Sequence, residues 1–140
     1  MKQMNTVTEI SHTLRQIQRQ QQTWLQHALA DTGVTVQQAI TLQFIGQQPG
    51  LIQKDVVNVM HRRAATVSAF LKKLETAGLI HREIPVDNSR NKQIFLTPTG
   101  EQVVATFQKR RQQAELRLVH GLDTTQQAAL LALLKQITAD

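Results

Sequence analysis

The feature that most constrains the fold of this chain is a change of hydrophobic period at Gly78. Upstream, Val67, Phe70, Leu71 and Leu74 recur at helical spacing, which places them on one face of a helix over about residues 63–77. Downstream, Leu79-Ile80-His81-Arg82-Glu83-Ile84 and Gln93-Ile94-Phe95-Leu96 are short runs rich in β-branched and aromatic residues, as strands are. Between them Pro85-Val86-Asp87-Asn88-Ser89-Arg90-Asn91-Lys92 is a polar turn cluster. A glycine-stopped helix followed at once by a β-hairpin with an extended tip leaves few architectures open.

The flanks narrow the choice. Residues 53–60 form another short helical run, with Val56, Val57 and Met60 inward. Before it, Thr35 and Gln38 stand at capping-box spacing and open a helix striped by Ala39, Leu42, Ile45 and Phe44, closed by Pro49-Gly50. Residues 8–30 carry Ile10, Leu14, Ile17, Trp24 and Ala28 near heptad spacing and read as one long amphipathic helix ended by Asp31-Thr32-Gly33. After the hairpin, Thr97-Pro98 restarts a helix striped by Val103, Val104, Phe107, Ala114 and Leu118. Asp123 and Gln126 repeat the capping-box spacing and open a last helix with Leu130, Leu133, Leu134 and Ile137. The expected fold is mainly α, with six helices plus a two-stranded β-wing. It is a winged helix-turn-helix, whose second helix enters the DNA major groove. Residues 1–140 are expected to form a single domain, with residues 34–100 as its DNA-binding region. Residues 8–31 and 98–140 are its long N- and C-terminal helices, the expected dimerisation region.

Charge supports a polyanionic partner, nucleic acid or an anionic membrane, met by a dedicated surface. The chain carries a formal +6, and residues 51–95 hold eight basic and four acidic side chains, so most of the excess lies in the middle third. Cysteine is absent, which excludes disulfides, thiolate metal sites and thiol redox switching. No apolar run is long enough to span a bilayer and no signal peptide is visible, so a cytoplasmic location is expected. The histidines, His12, His27, His61, His81 and His120, are scattered without metal-site spacing. There is no phosphate loop, HExxH pair or GxSxG elbow, so neither an enzyme, a metal site nor a cofactor is expected. The alternative is a basic peripheral membrane or partner-binding module. Against it, the basic residues straddle a hairpin and lack the apolar face of an interfacial helix.

On the second short helix, the face opposite the apolar stripe presents Ala65, Ser68, Ala69, Lys72 and Thr76. Small residues let a helix approach base edges. Thr66 and Ser68 can donate to bases or phosphates, and Ala65 and Ala69 can touch a thymine methyl. Arg62 and Arg63 can reach a phosphate or a guanine, and Lys72 a phosphate.

Several segments together resemble the MarR family of transcriptional regulators, in its order and spacing over residues 34–100. They are Pro49-Gly50 with Gln53-Lys54-Asp55-Val56, Ala65-Thr66-Val67-Ser68, Leu74-Glu75-Thr76-Ala77-Gly78-Leu79-Ile80-His81-Arg82, Arg90-Asn91-Lys92 and Leu96-Thr97-Pro98-Thr99-Gly100. The flanking helices carry the resemblance over nearly the whole chain. It implies a homodimeric regulator, a repressor on a palindromic double-stranded operator, with Arg90 entering the minor groove and Lys92 beside it in the wing. Members commonly carry Asp two residues before this Arg to brace the wing. Here Asn88 stands there, with Asp87 one earlier, so either Asp87 takes over the brace or the tip is looser. Ile52 occupies a position where members often have a capping Ser or Thr, leaving Gln53 to cap that helix or touch a phosphate.

The terminal apolar stripes exceed what a small winged unit needs. The resemblance implies that they interleave with a second copy through Ile10, Leu14, Leu118, Leu122, Leu130, Leu133, Leu134 and Ile137. It further implies a small aromatic or amphipathic effector, for which Trp24, His27, Phe44 and Phe107 are the candidate lining.

Overall fold

A computed structural model describes residues 2–87 and 90–139. In chain order the elements are α1 (Lys2–Ala28), a 3-10 turn (Ala30–Thr32), α2 (Val36–Gln47), α3 (Gln53–Met60), α4 (Ala64–Thr76), β1 (Ile80–Glu83), β2 (Gln93–Leu96), α5 (Pro98–Val119) and α6 (Thr124–Thr138). The architecture is mainly α, with six helices and a two-stranded antiparallel sheet among the described residues.

Two compact units emerge. One is Ala28–Lys109; the other comprises α1 up to His27 with the chain from Arg110 onward. The first of these holds the helix pair and the wing, and its packing reaches into α5. Val103 and Val104 lie against its core, and Phe107 is fully buried. That core gathers Leu42 and Ile45 of α2, Val56 of α3, Val67, Leu71 and Leu74 of α4, and Ile80 and Ile94 of the sheet. α1 begins six residues earlier than its apolar stripe predicts, since extending a formed helix needs only one further hydrogen bond per residue.

Local chemistry sets most boundaries. Thr35 and Gln38 form the reciprocal capping box, at 3.1 Å and 2.9 Å, and Asp123 and Gln126 form another, at 2.8 Å and 3.0 Å. At α3, Ile52 offers no side-chain acceptor. Only half a box exists there, with Ile52 N donating to the Asp55 carboxylate at 2.9 Å. Gln53 is the first helical residue rather than the cap. α4 ends in a Schellman motif, in which Leu79 N donates to Leu74 O and Gly78 N to Glu75 O, both at 3.0 Å. This geometry requires the left-handed backbone of Gly78, at φ +76°.

The wing is anchored at both ends. β1 and β2 pair in the register Ile80↔Leu96, His81↔Phe95, Arg82↔Ile94 and Glu83↔Gln93. Leu51, ahead of α3, adds a bridge to Ile94 through a 2.8 Å bond from Ile94 N to Leu51 O, ties the sequence pattern does not reveal. Thr97 clamps the base: its N–H donates to Leu79 O at 3.1 Å and its hydroxyl to Gly78 O at 2.6 Å, while that hydroxyl accepts from Gly100 N. The first turn of α5 passes so close that a Cβ on Gly100 would stand 2.1 Å from the Leu79 carbonyl oxygen.

Candidate nucleic-acid interface

α3 and α4 are joined by a tight turn. His61 takes a left-handed conformation (φ 53°) and donates its N–H to Val57 O at 3.0 Å, and Arg63 is the extended N-cap residue of α4. Val67, Leu71 and Leu74 anchor α4 in the core, with Phe70 half-buried beside them. The helical period therefore turns Ala65, Thr66, Ser68, Ala69 and Lys72 outward, and all five are exposed. Arg62 and Arg63 are exposed at its start.

Beside this face lies a cleft of about 510 Å³ between the helix pair and the wing. The first residues of α3, Gln53 and Lys54, form one wall with Ala64 of α4; Arg82, Arg90 and Lys92 form the other. The structure thus brings together Gln53, Arg90 and Lys92, which sequence reasoning selected, with Lys54 and Arg82, which it did not. Strand alternation was the available signal for Arg82, since it lies two residues from the buried Ile80 on the same face of β1. Among the described residues, none of Lys54, Arg62, Arg63, Lys72, Arg90 and Lys92 forms an ion pair. The surface therefore presents a net positive field beside a helix face of small and hydroxyl side chains, which suits phosphate contact together with base contact. Asp87 is exposed near the wing tip, and Asn88 lies outside the described residues.

In the terminal unit, every described residue of α6 is exposed, including Leu130, Leu133, Leu134 and Ile137. Ile10, Leu14 and Leu118 are exposed as well, and Leu122 is half-buried. Leu131, at 53 % exposure, joins this apolar set without having been selected from sequence. Of the four residues proposed for an effector, two lie in each compact unit. Trp24 and His27 line an open groove with Arg19 and Arg117, and the Arg117 guanidinium lies 5.3 Å from the Trp24 ring centre. Phe44, by contrast, packs on the winged core, and Phe107 is wholly enclosed. Sequence spacing cannot separate an aromatic that fills a core from one that lines a groove. Among the described residues, no helix is long and apolar enough to cross a membrane.

Residues 32–90 match the family model described as MarR family. The transcriptional regulator HosA of Escherichia coli O127:H6 is 32 % identical over 94 residues, covering 67 % of this chain and 68 % of that protein. The chain belongs to the MarR family. It is a transcriptional regulator and not an enzyme. Another relative, the HTH-type transcriptional repressor Mb2911 of Mycobacterium bovis, is 25 % identical over 113 residues, 81 % of each chain. MepR, a regulator of the Staphylococcus aureus multidrug efflux pump MepA, superposes with a TM-score of 0.83 at 29 % identity, covering 92 % of this chain and 96 % of its own. A MepR–DNA complex superposes at 0.71 with the same identity and coverage.

Proposed function

We propose that this MarR-family chain is a homodimeric repressor that binds a palindromic double-stranded operator. α4 reads base edges in the major groove through Ala65, Thr66, Ser68 and Ala69, while Arg90 and Lys92 of the wing engage the neighbouring minor groove and its backbone. The observation that carries this is the exposed α4 face of small and hydroxyl side chains, bordered by cations that have no acidic partner among the described residues. Its support from relatives is that MepR has been seen on DNA and that Mb2911 is named a repressor.

One winged unit offers too few contacts for tight, specific binding. A two-fold dimer doubles them and spaces the half-sites about one helical turn apart. The bare apolar face of α6, with Ile10, Leu14 and Leu118, supplies a surface that a second copy would cover. Release by a small aromatic or amphipathic effector requires that it bind the DNA-incompetent form more tightly. The groove at Trp24 and His27 is the candidate place.

Selection of bound duplexes from a random pool tests the proposal. Enrichment of a palindromic motif is the expected result, with a binding constant whose logarithm falls steeply with the logarithm of salt. Failure to enrich any motif, or a flat salt response, would favour a basic partner-binding or membrane-surface module instead.

A further inference from the structure

We propose that the cleft between the helix pair and the wing is a seat for one DNA backbone phosphate, and that Arg82 is its principal ligand. This rests on the DNA-binding proposal above and extends it to a residue that neither sequence reasoning nor the exposed face of α4 selects.

Arg82 occupies an unusual position. In the β1–β2 register it pairs with the buried Ile94 and shares a face with the buried Ile80, so it stands on the core side of the wing. Its side chain is only 21 % exposed, and its Nε is buried without a hydrogen-bond acceptor. The nearest acid, Glu75 of α4, lies 3.4 Å from that Nε and is itself 45 % exposed, so it compensates the guanidinium only weakly. A half-buried cation with spare donors calls for a further anion.

The surroundings sharpen the identity of that anion. Lys54, Arg90 and Lys92 line the same cleft, and among the described residues no acidic side chain does. Four cations around one volume repel one another until an anion enters, and a guanidinium fork suits phosphate oxygens bidentately. Position selects a nucleic-acid phosphate. One wall holds the start of α4, bound for the major groove, and the other holds Arg90, bound for the minor groove. The sugar-phosphate backbone is what separates those grooves, so it must pass across this cleft when both elements are seated.

The test compares full-length variants by fluorescence anisotropy over a series of NaCl concentrations, on a duplex carrying the selected motif and on a random-sequence duplex. Arg82→Gln is expected to weaken binding roughly tenfold on both duplexes. It should also lower the log–log salt slope by about 0.9 for each bound protomer. Arg82→Lys should restore the slope, with part of the affinity. Glu75→Gln, which frees Arg82 from the acid paired with it, is expected to bind several-fold more tightly. It also decides the matter if Arg82→Gln fails to fold, because weaker binding by Glu75→Gln would make Arg82 a brace for α4 and overturn the phosphate seat. An unchanged slope in a folded Arg82→Gln, with the parent still binding, overturns this inference alone. Failure of the parent to bind either duplex overturns the DNA-binding proposal and this one with it.

Discussion

Replacing Gly100 by alanine measures how rigidly the base of the wing is joined to α5. The added Cβ would sit 2.1 Å from the Leu79 carbonyl oxygen, and the next two atoms in its way, at 3.1 Å and 3.5 Å, also belong to the Leu79 backbone. No flexible side chain can yield, so the backbone must part by roughly 1 Å, an overpacking that costs about 1–3 kcal/mol. The same movement strains the bond from Thr97 N to Leu79 O and the Thr97 hydroxyl bridge between Gly78 and Gly100. At about 1 kcal/mol for each of these three bonds, the total comes to roughly 4–6 kcal/mol, a large share of the ~5–15 kcal/mol that holds a typical domain folded. Two other glycines provide the scale. Gly78→Ala meets nothing within 4 Å but must hold φ +76°, at a cost of about 1–2 kcal/mol. Gly121→Ala meets nothing and has no left-handed φ, so it should be neutral or stabilising by up to ~1 kcal/mol. Urea unfolding at one fixed protein concentration, which holds any association constant, ranks the three. If Gly100→Ala costs no more than Gly78→Ala, the close approach of α5 to the wing base is not what fixes glycine there.

Three further outcomes concern function. Ser68→Leu should abolish selection of a specific motif while the helical circular dichroism and the stability stay within about 0.5 kcal/mol of the parent, because Ser68 is exposed; retained specificity would remove Ser68 from the reading face. Arg90→Ala should weaken binding by about 1–3 kcal/mol if the side chain enters the groove, and an unaltered affinity in the same titration would reduce it to a turn residue. Glutamate at both Leu133 and Ile137, which are 59 % and 65 % exposed, should convert a dimer to a monomer in sedimentation at micromolar concentration without unfolding the protomer. A parent protein that already sediments as a monomer would end the dimer proposal.

What was legible in the sequence were features whose cause lies within about four residues. The capping pairs Thr35–Gln38 and Asp123–Gln126, the glycine stop at Gly78, the Thr97-Pro98 helix start and the β-branched and aromatic runs of the hairpin are all local hydrogen bonding or local backbone preference. The outward face of α4 was legible for the same reason, because Val67, Leu71 and Leu74 set its rotation and Ser68 and Ala69 must then point away. Only the tertiary structure decided which distant segments meet. Leu51 bridges Ile94, Leu79 presses on Gly100, and Arg82 joins Lys54 and Lys92 around one cleft, none of which leaves a periodic trace. It also divided the aromatics, enclosing Phe107 while leaving Trp24 beside an open groove. The physical reason is one of range. A side chain's period reports which way it faces, whereas what it meets there depends on chain closure over tens of residues.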